Sequence, residues 1–447
     1  MMHPAEVPAD FELLRHRLHP LSGGDADFDP VLEAVGDRPI VLLGEATHGT
    51  REFYDARAAI TRRLIEEKDL DAVAVEADWP DAYRLNRYVR GHSVDESARE
   101  AMGDFTRFPR WMWRNESVLE LIEWMRDYND GKPPELQAGF YGLDLYSLYR
   151  SIDAVVKYLR HVDPEAAERA ARRYACFELT ASDPQRYGYA AGVGARRSCE
   201  DAAVQQLEEL RRQSAEYLKR DGVVARDEQF FAEQNARLVK NSEEYYRAMF
   251  GGRVNTWNLR DRHMADTLDA LVNHLGGPAE PARVAVWAHN SHLGDARATE
   301  AEQRGELNVG QLVRERWGEQ CLLVGFTTHH GTVAAATDWD APVQHKRMRD
   351  AMPGSVEALL HEVKEGDFLL RMDEPELAKQ LAQPRMERMI GVIYRPEAER
   401  ASHYFHCRLS EQFDIVLHYD ETRAVEPLDA EAGWEIVELP ETYPSGL

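Results

Sequence analysis

Residues 40–60 read IVLLGEATHGTREFYDARAAI, and the change of pattern inside them decides the fold. Pro39 stops whatever precedes. Ile40–Leu43 is a short apolar run with two β-branched members, the composition of a buried strand. The run breaks into Gly44-Glu45-Ala46-Thr47-His48-Gly49, and a helix is expected over Glu52–Lys68. Gly44 and Gly49 are expected to let the chain turn tightly there, presenting Glu45 and His48 at the strand's end. On the helix, Phe53, Ile60 and Leu64 mark the buried stripe, and Arg57 falls on it. A buried arginine must meet a carboxylate or enter a polar cavity, because an isolated buried charge is costly. Arg57 therefore either pins helix to sheet through a glutamate or supplies a cation to a cleft; the second reading is adopted.

Working outward, the pattern repeats. Asp71–Glu76, Gln137–Leu143, Arg283–Trp287 and Cys321–Phe326 are further short apolar runs, and a helix is expected over Asp81–Arg90. Short buried strands separated by helices predict a largely parallel sheet with crossover helices. In the last third, Gly331–Ala336, Asp367–Met372, Met389–Arg395 and Phe413–Asp420 are strand-like with short connections, which adds a mixed or antiparallel extension. The middle reads as helical over Ser151–Arg160, Pro164–Ala175, Cys199–Arg220 and Arg226–Phe250. Val204, Leu207, Leu210 and Leu218 mark one face, and Phe231, Leu238, Tyr245 and Met249 another. Gly188–Gly194 lacks the G-x-G-x-x-G pattern and is read as a linker. The expected organisation is an α/β core over 1–150 and 256–447, with 151–255 a helical lobe or lid over the cleft.

The 447 residues are 43% hydrophobic, enough for a sizeable core. A formal net charge of −25 disfavours nucleic acid and anionic membranes as partners. Only eight of the 54 basic residues are Lys. No apolar signal region opens the chain and no segment approaches membrane-spanning length, so the protein is read as cytoplasmic. Cys176, Cys199, Cys321 and Cys407 show no C-x-x-C spacing and are read as buried thiols, not a disulfide framework. Oligomeric state is not legible.

The chemistry gathers at strand ends. The first strand runs into Glu45 and His48, the second ends in Glu76, the third meets Asp144, and the fourth runs into His289-Asn-Ser-His292. In open α/β sheets, sites form beyond the carboxyl ends of the strands, so these groups are expected in one cleft. No G-x-S-x-G, P-loop or H-E-x-x-H occurs. Ser291 alone offers a hydroxyl beside a histidine. Histidines, acids and an arginine suit activation of water by a histidine whose tautomer a carboxylate fixes. Glu45-x-x-His48 and His289-x-x-His292 could also supply metal ligands, but spacing alone does not require an ion, and no metal or cofactor is assigned.

These motifs resemble the erythromycin esterase family. The resemblance lies in Gly44–Gly49 with Phe53 and Arg57, Val75-Glu76-Ala77-Asp78-Trp79, Tyr141-Gly142-Leu143-Asp144, Asn258-Leu259-Arg260-Asp261 with Met264, and Trp287–His292. It implies an α/β fold with a helical lobe, and hydrolysis of a macrolide lactone ester without a covalent serine intermediate. Residue by residue, it implies that His48 is the general base and that Glu45 and Glu76 orient and polarise it. It implies that His289 steadies the oxyanion or protonates the leaving alcohol, and that Arg57 and Arg260 line the cleft. His292 and Asp144 match family positions of less defined role and are taken as substrate-binding together with Arg260. The partner expected is a small-molecule ester. Two other readings stand beside this one: a metal-dependent hydrolase of a non-macrolide substrate, and a binding or biosynthetic accessory protein on the same fold. Asp104–Trp113, with Trp124 beyond, is either an aromatic wall for a large apolar ligand or plain core.

Overall fold

The computed structural model describes residues 11–178, 183–195, 197–218, 223–250, 253–277 and 280–429. Eleven strands are present among them: β1 (His19–Pro20), β2 (Ile40–Leu43), β3 (Ala72–Asp78), β4 (Gly139–Asp144), β5 (Val284–Trp287), β6 (Cys321–Ala335), β7 (Gln344–Met348), β8 (Phe368–Arg371), β9 (Arg385–Arg388), β10 (Tyr404–Cys407) and β11 (Ile415–Thr422). The main sheet runs β1-β8-β11-β6-β2-β5-β3-β4, with β7 added to β6. Every pairing from β11 to β4 is parallel. β1, β8 and β7 join antiparallel, and β9 pairs with β10 apart from the sheet. This is the mixed, mostly parallel α/β sheet flanked by helices that the sequence predicts.

The strands are buried on both faces, which is why they read as continuous apolar runs rather than alternating ones. Ile40, Leu42, Ala72, Ala74, Val284 and Val286 face one core. Val41, Leu43, Val73, Val75, Ala285 and Trp287 face the other. The helices Arg51–Glu67 and Glu116–Asn129 cover the second face, while Leu148–Val162 and Arg253–Leu275 cover the first.

Several expectations need correction. Cys321–Phe326 and Gly331–Ala336 form one strand, β6. Met389–Arg395 is not a strand: β9 ends at Arg388, and Ile390 and Ile393 make isolated bridges to Thr47 and Ala336. β7 is the polar edge run QHKRM, whose exposed side chains carry no apolar period to detect. The supposed linker Gly188–Gly194 lies largely in a helix, Pro184–Gly192, whose N-terminal N–H groups the Asp183 carboxylate accepts. Gly188 is there because a Cβ would stand 2.1 Å from the Tyr246 carbonyl oxygen, so the two helices touch backbone to backbone. Cys176 and Cys199 are joined by a disulfide, whereas Cys321 and Cys407 are the buried thiols expected. No helix among the described residues is long and apolar enough to cross a membrane.

Candidate active site

The parallel neighbours β2, β5, β3 and β4 deliver their carboxyl ends side by side, in that spatial order. His48 follows β2, His289 follows β5, Glu76 lies near the end of β3, and Asp144 closes β4. All four line one cavity of about 290 Å³, together with Arg260 and His292.

The loop after β2 is shaped by close approach, not by unusual backbone angles. Neither Gly44 nor Gly49 has a positive φ. A Cβ on Gly49 would sit 1.9 Å from the Ala334 carbonyl oxygen, so β6 passes directly against the loop. The Ile390 N–H donates to the Ala46 carbonyl at 2.8 Å, and the Tyr54 hydroxyl donates to the His48 carbonyl at 2.9 Å. Thus held, His48 puts Nδ1 2.9 Å from Glu45 Oε1. A carboxylate there selects the Nδ1–H tautomer, which leaves Nε2 as an acceptor on the cavity side.

Arg57 does not line the cavity. It is fully buried behind Glu45 and donates from Nη2 to Glu45 Oε2 at 2.6 Å. Its guanidinium carbon lies 4.5 Å from the Tyr54 ring centre and 4.7 Å from that of Trp287. The expectation of a cation in the cleft is corrected: the stripe position was right, but the carboxylate reached first was Glu45.

Across from this arm stands a denser ionic cluster. Arg260, on the helix Arg253–Leu275, donates to Glu76 Oε1 at 2.7 Å and to Asp144 Oδ2 at 2.6 Å. Glu76 Oε2 accepts the His289 backbone N–H at 2.9 Å. His292 lies between Asp261, 2.9 Å from Nδ1, and Glu76, 3.3 Å from Nε2. Burial pulls the His292 imidazolium pKa down, but Asp261 and then Glu76 outweigh it, and it is raised to about 9. The ring stacks on Trp257 with centroids 4.5 Å apart, a favourable seat for a cation. Burial acts to raise the Glu76 pKa, yet His292 and Arg260 hold it well below the usual carboxylate range. Glu76 makes no hydrogen bond to His48, so the expectation that it orients that ring directly is replaced by a role in holding Arg260, His292 and the His289 backbone.

His289 joins the two halves. Its ring centre is 4.7 Å from that of His48. Nδ1 accepts the Ser291 N–H at 3.3 Å and lies 2.9 Å from Ser291 Oγ, which leaves Nε2–H for the Ala46 carbonyl at 3.2 Å. Burial, and then the neighbouring His48, push the His289 pKa well below its usual value.

All of the sequence-predicted groups come together, with Glu45 and Arg57 behind the wall. Two residues carry no role in the sequence reading: Asp261, quoted there only as part of the Asn258–Asp261 motif, and Glu387. Asp261 stands on the stripe Asp261, Met264, Leu268, so the reasoning that found Arg57 would have found it. Glu387 lines the cavity from β9, fully buried, and its carboxyl pKa is pushed up to about 8 by burial and then by Glu357. Nothing in the run RMER signals that. In the segment 104–113, Phe105, Phe108, Met112 and Trp113 line the cavity, while Trp111 is core. Trp124 stacks on Tyr128 away from the cavity.

Fold and site together define an α/β protein with a buried cluster of histidines, carboxylates and an arginine at the carboxyl edge of a parallel sheet. A family model described as erythromycin esterase matches residues 65–422, and the chain belongs to the erythromycin esterase family. It is 23% identical to the erythromycin esterase type II of Escherichia coli over 403 residues, covering 86% of this chain and 92% of that one. A solved structure of a succinoglycan biosynthesis protein superposes with a TM-score of 0.76 at 21% identity, over 93% of this chain and 97% of that chain. That of an erythromycin esterase mutant in its open conformation gives 0.64 at 18% identity, over 91% and 95%. Family membership supports a hydrolase.

Proposed function

We propose that this protein hydrolyses a carboxylic ester by histidine-activated water, with a macrolide lactone as the first substrate to test. The observation that carries the reading is the Arg57–Glu45–His48 arm. It ends in a single imidazole nitrogen turned to the cavity, with the opposite nitrogen committed to a carboxylate. Water held at His48 Nε2 loses a proton as its oxygen attacks the ester carbonyl. Glu45 then stabilises the imidazolium, and Arg57 keeps Glu45 from turning away. Arg260, His292 and the His289 N–H, once it leaves the Ala46 carbonyl, are the cavity-lining donors offered to the developing oxyanion. The imidazolium of His48 returns its proton to the departing alcohol, directly or by way of His289. Atoms balance as ester plus water giving acid plus alcohol. No nucleophilic side chain is required. The aromatic wall of Phe105, Phe108, Trp113 and Trp257 suits a bulky apolar substrate body.

Mass spectrometry of erythromycin incubated with the purified protein tests this. A product one water heavier is expected, and His48→Ala should form it ~10²–10⁴-fold more slowly while melting like the wild type. No product from the wild-type protein removes the macrolide and moves the search to simpler esters. Equal product from both proteins removes His48 from the reaction.

A second reading has one observation behind it. Ser291 Oγ lies 2.9 Å from His289 Nδ1 and faces the same cavity, the contact a serine nucleophile needs.

A further inference from the structure

Imidazoles also concentrate outside the cavity, on the parallel pair β6–β11. His329 and His330 stand on β6, and Asp420 on β11 lies between Tyr419, which faces Thr328, and Glu421, which faces His330. One ligand atom from each of His329, His330 and Asp420 lies within 4.8 Å of the other two. None of the three lines the active-site cavity. His329 Nδ1 and His330 Nδ1 are 3.0 Å apart. Two imidazole nitrogens both bonded to one zinc ion at about 2.0–2.1 Å in tetrahedral geometry would be separated by roughly 3.3 Å, so the pair is already near coordinating distance.

The surroundings favour the same reading. His361 Nδ1 lies 2.6 Å from Asp420 Oδ1, and its ring stacks on His329 at 3.8 Å. His418 is fully buried, with Nδ1 2.9 Å from the Thr327 hydroxyl. Its Nε2 faces Asp420 Oδ1 at 3.6 Å. Two further imidazoles, His361 and His418, thus converge on the Asp420 carboxylate, as outer groups do around a ligating acid. Asp420 keeps 26% of its side chain exposed, which gives an ion a way in. The donors are nitrogen and oxygen with no thiolate, a set that suits zinc, cobalt or nickel over softer ions.

We propose that His329, His330 and Asp420 bind one divalent transition-metal ion of the zinc class. His361 and His418 orient the Asp420 carboxylate, as outer groups do around protein-bound metals. One coordination position stays open to solvent. The ion ties β6 to β11 at a place where Arg388 donates to the Thr328 and His329 carbonyls at 2.7 and 2.8 Å. Arg388 adjoins the cavity residue Glu387, so the ion steadies the strand behind the cavity wall without joining the acid–base arm.

The test is calorimetric titration of chelator-stripped protein with zinc, with cobalt absorption spectra as a second readout. Wild-type protein is expected to take up one equivalent, to show the visible bands of nitrogen- and oxygen-ligated cobalt, and to melt at a temperature that rises with free zinc. The double variant His330→Asn/Asp420→Asn should lose all three responses, and His361→Ala should weaken uptake by roughly 10–100-fold. His48→Gln should keep them, which separates this site from any ion held near Glu45 and His289. If the double variant does not fold, His330→Asn alone, at a half-exposed side chain, serves in its place. Absence of saturable uptake by the wild type overturns the proposal. So does uptake that survives the ligand variants but disappears in His48→Gln.

Discussion

The two halves of the cavity floor are built from the same kinds of group and do different things. On the β2 side, Arg57, Glu45 and His48 form a line with one partner at each contact and a free nitrogen at the end. On the β3–β4 side, Glu76, Asp144, Asp261, Arg260 and His292 form a closed mesh in which each carboxylate takes a cation or a backbone N–H. A line can pass a proton and recover, because only its last member changes charge. A mesh resists any change of charge, because every neighbour was placed for the present one. On the proposed mechanism, chemistry belongs to the first half and fixed electrostatics to the second.

Arg57→Met is the strongest way to break that comparison. It leaves the buried Glu45 carboxylate without its cation and held only by the His48 Nδ1–H, and loss of one partner of a buried pair costs about 3–5 kcal/mol. Urea denaturation should register that loss, and turnover should fall as well because Glu45 is no longer fixed in place against the His48 ring. A loss below about 1 kcal/mol would mean that the pair is effectively hydrated and behaves as a surface contact does. Glu76→Gln comes next. A glutamine turns an N–H₂ toward Arg260 and His292 or toward the His289 N–H, where only acceptors fit. The expected cost is about 1–3 kcal/mol of stability together with slower turnover. Unchanged stability would show that the mesh is not tightly satisfied around Glu76.

How much of this could be read in advance differs between the halves. The line was legible because it is local: Glu45, His48 and Arg57 are close in sequence, and the strand-to-helix switch fixes their relative placement. What failed there was direction, since the sequence places Arg57 on the buried stripe but does not say which carboxylate meets it first. The mesh was legible only as separate strand ends. Arg260 reaches Asp144 across 116 positions, and neither local pattern names the other. Glu387 and the edge strand β7 were illegible for a common reason: their segments are short and polar, and tertiary placement alone decides which side chains are buried. The Cys176–Cys199 bridge likewise depends on how the helix Pro164–Glu178 packs against the turn before Glu200, which spacing does not encode.

Glu387 offers a way to sharpen the picture through pH. Its native pKa of about 8 lies above the ordinary carboxyl value of 4.5, so the native state binds the proton more tightly than the unfolded chain. The resulting stability is fully present below the unfolded pKa and is lost as pH rises through the native one. Wild-type protein should therefore lose stability relative to Glu387→Gln between about pH 5 and pH 8, by up to about 1 kcal/mol per pH unit. Parallel curves would mean that the cavity wall carries an ionised Glu387 throughout.

Ser291→Ala should have the smallest effect, and it separates the two chemical readings. The Ser291–His289 contact has a local cause. His289 caps the short helix Asn290–Leu293 by accepting the Ser291 N–H at Nδ1, and this brings the adjacent hydroxyl to the same nitrogen. A base for a serine nucleophile also needs its other nitrogen oriented toward a group that stabilises the imidazolium. Here that nitrogen meets the Ala46 carbonyl, and burial disfavours protonation of the ring. His48 has what His289 lacks, namely a buried carboxylate on one side and a free nitrogen on the other. Removing the Ser291 hydroxyl should then change turnover by no more than a few fold, against the ~10²–10⁴-fold expected for His48→Ala. A loss as deep as that of His48→Ala, with an acyl adduct on the wild-type protein by mass spectrometry, would transfer the nucleophile from water to Ser291 and leave the β2 arm as a support.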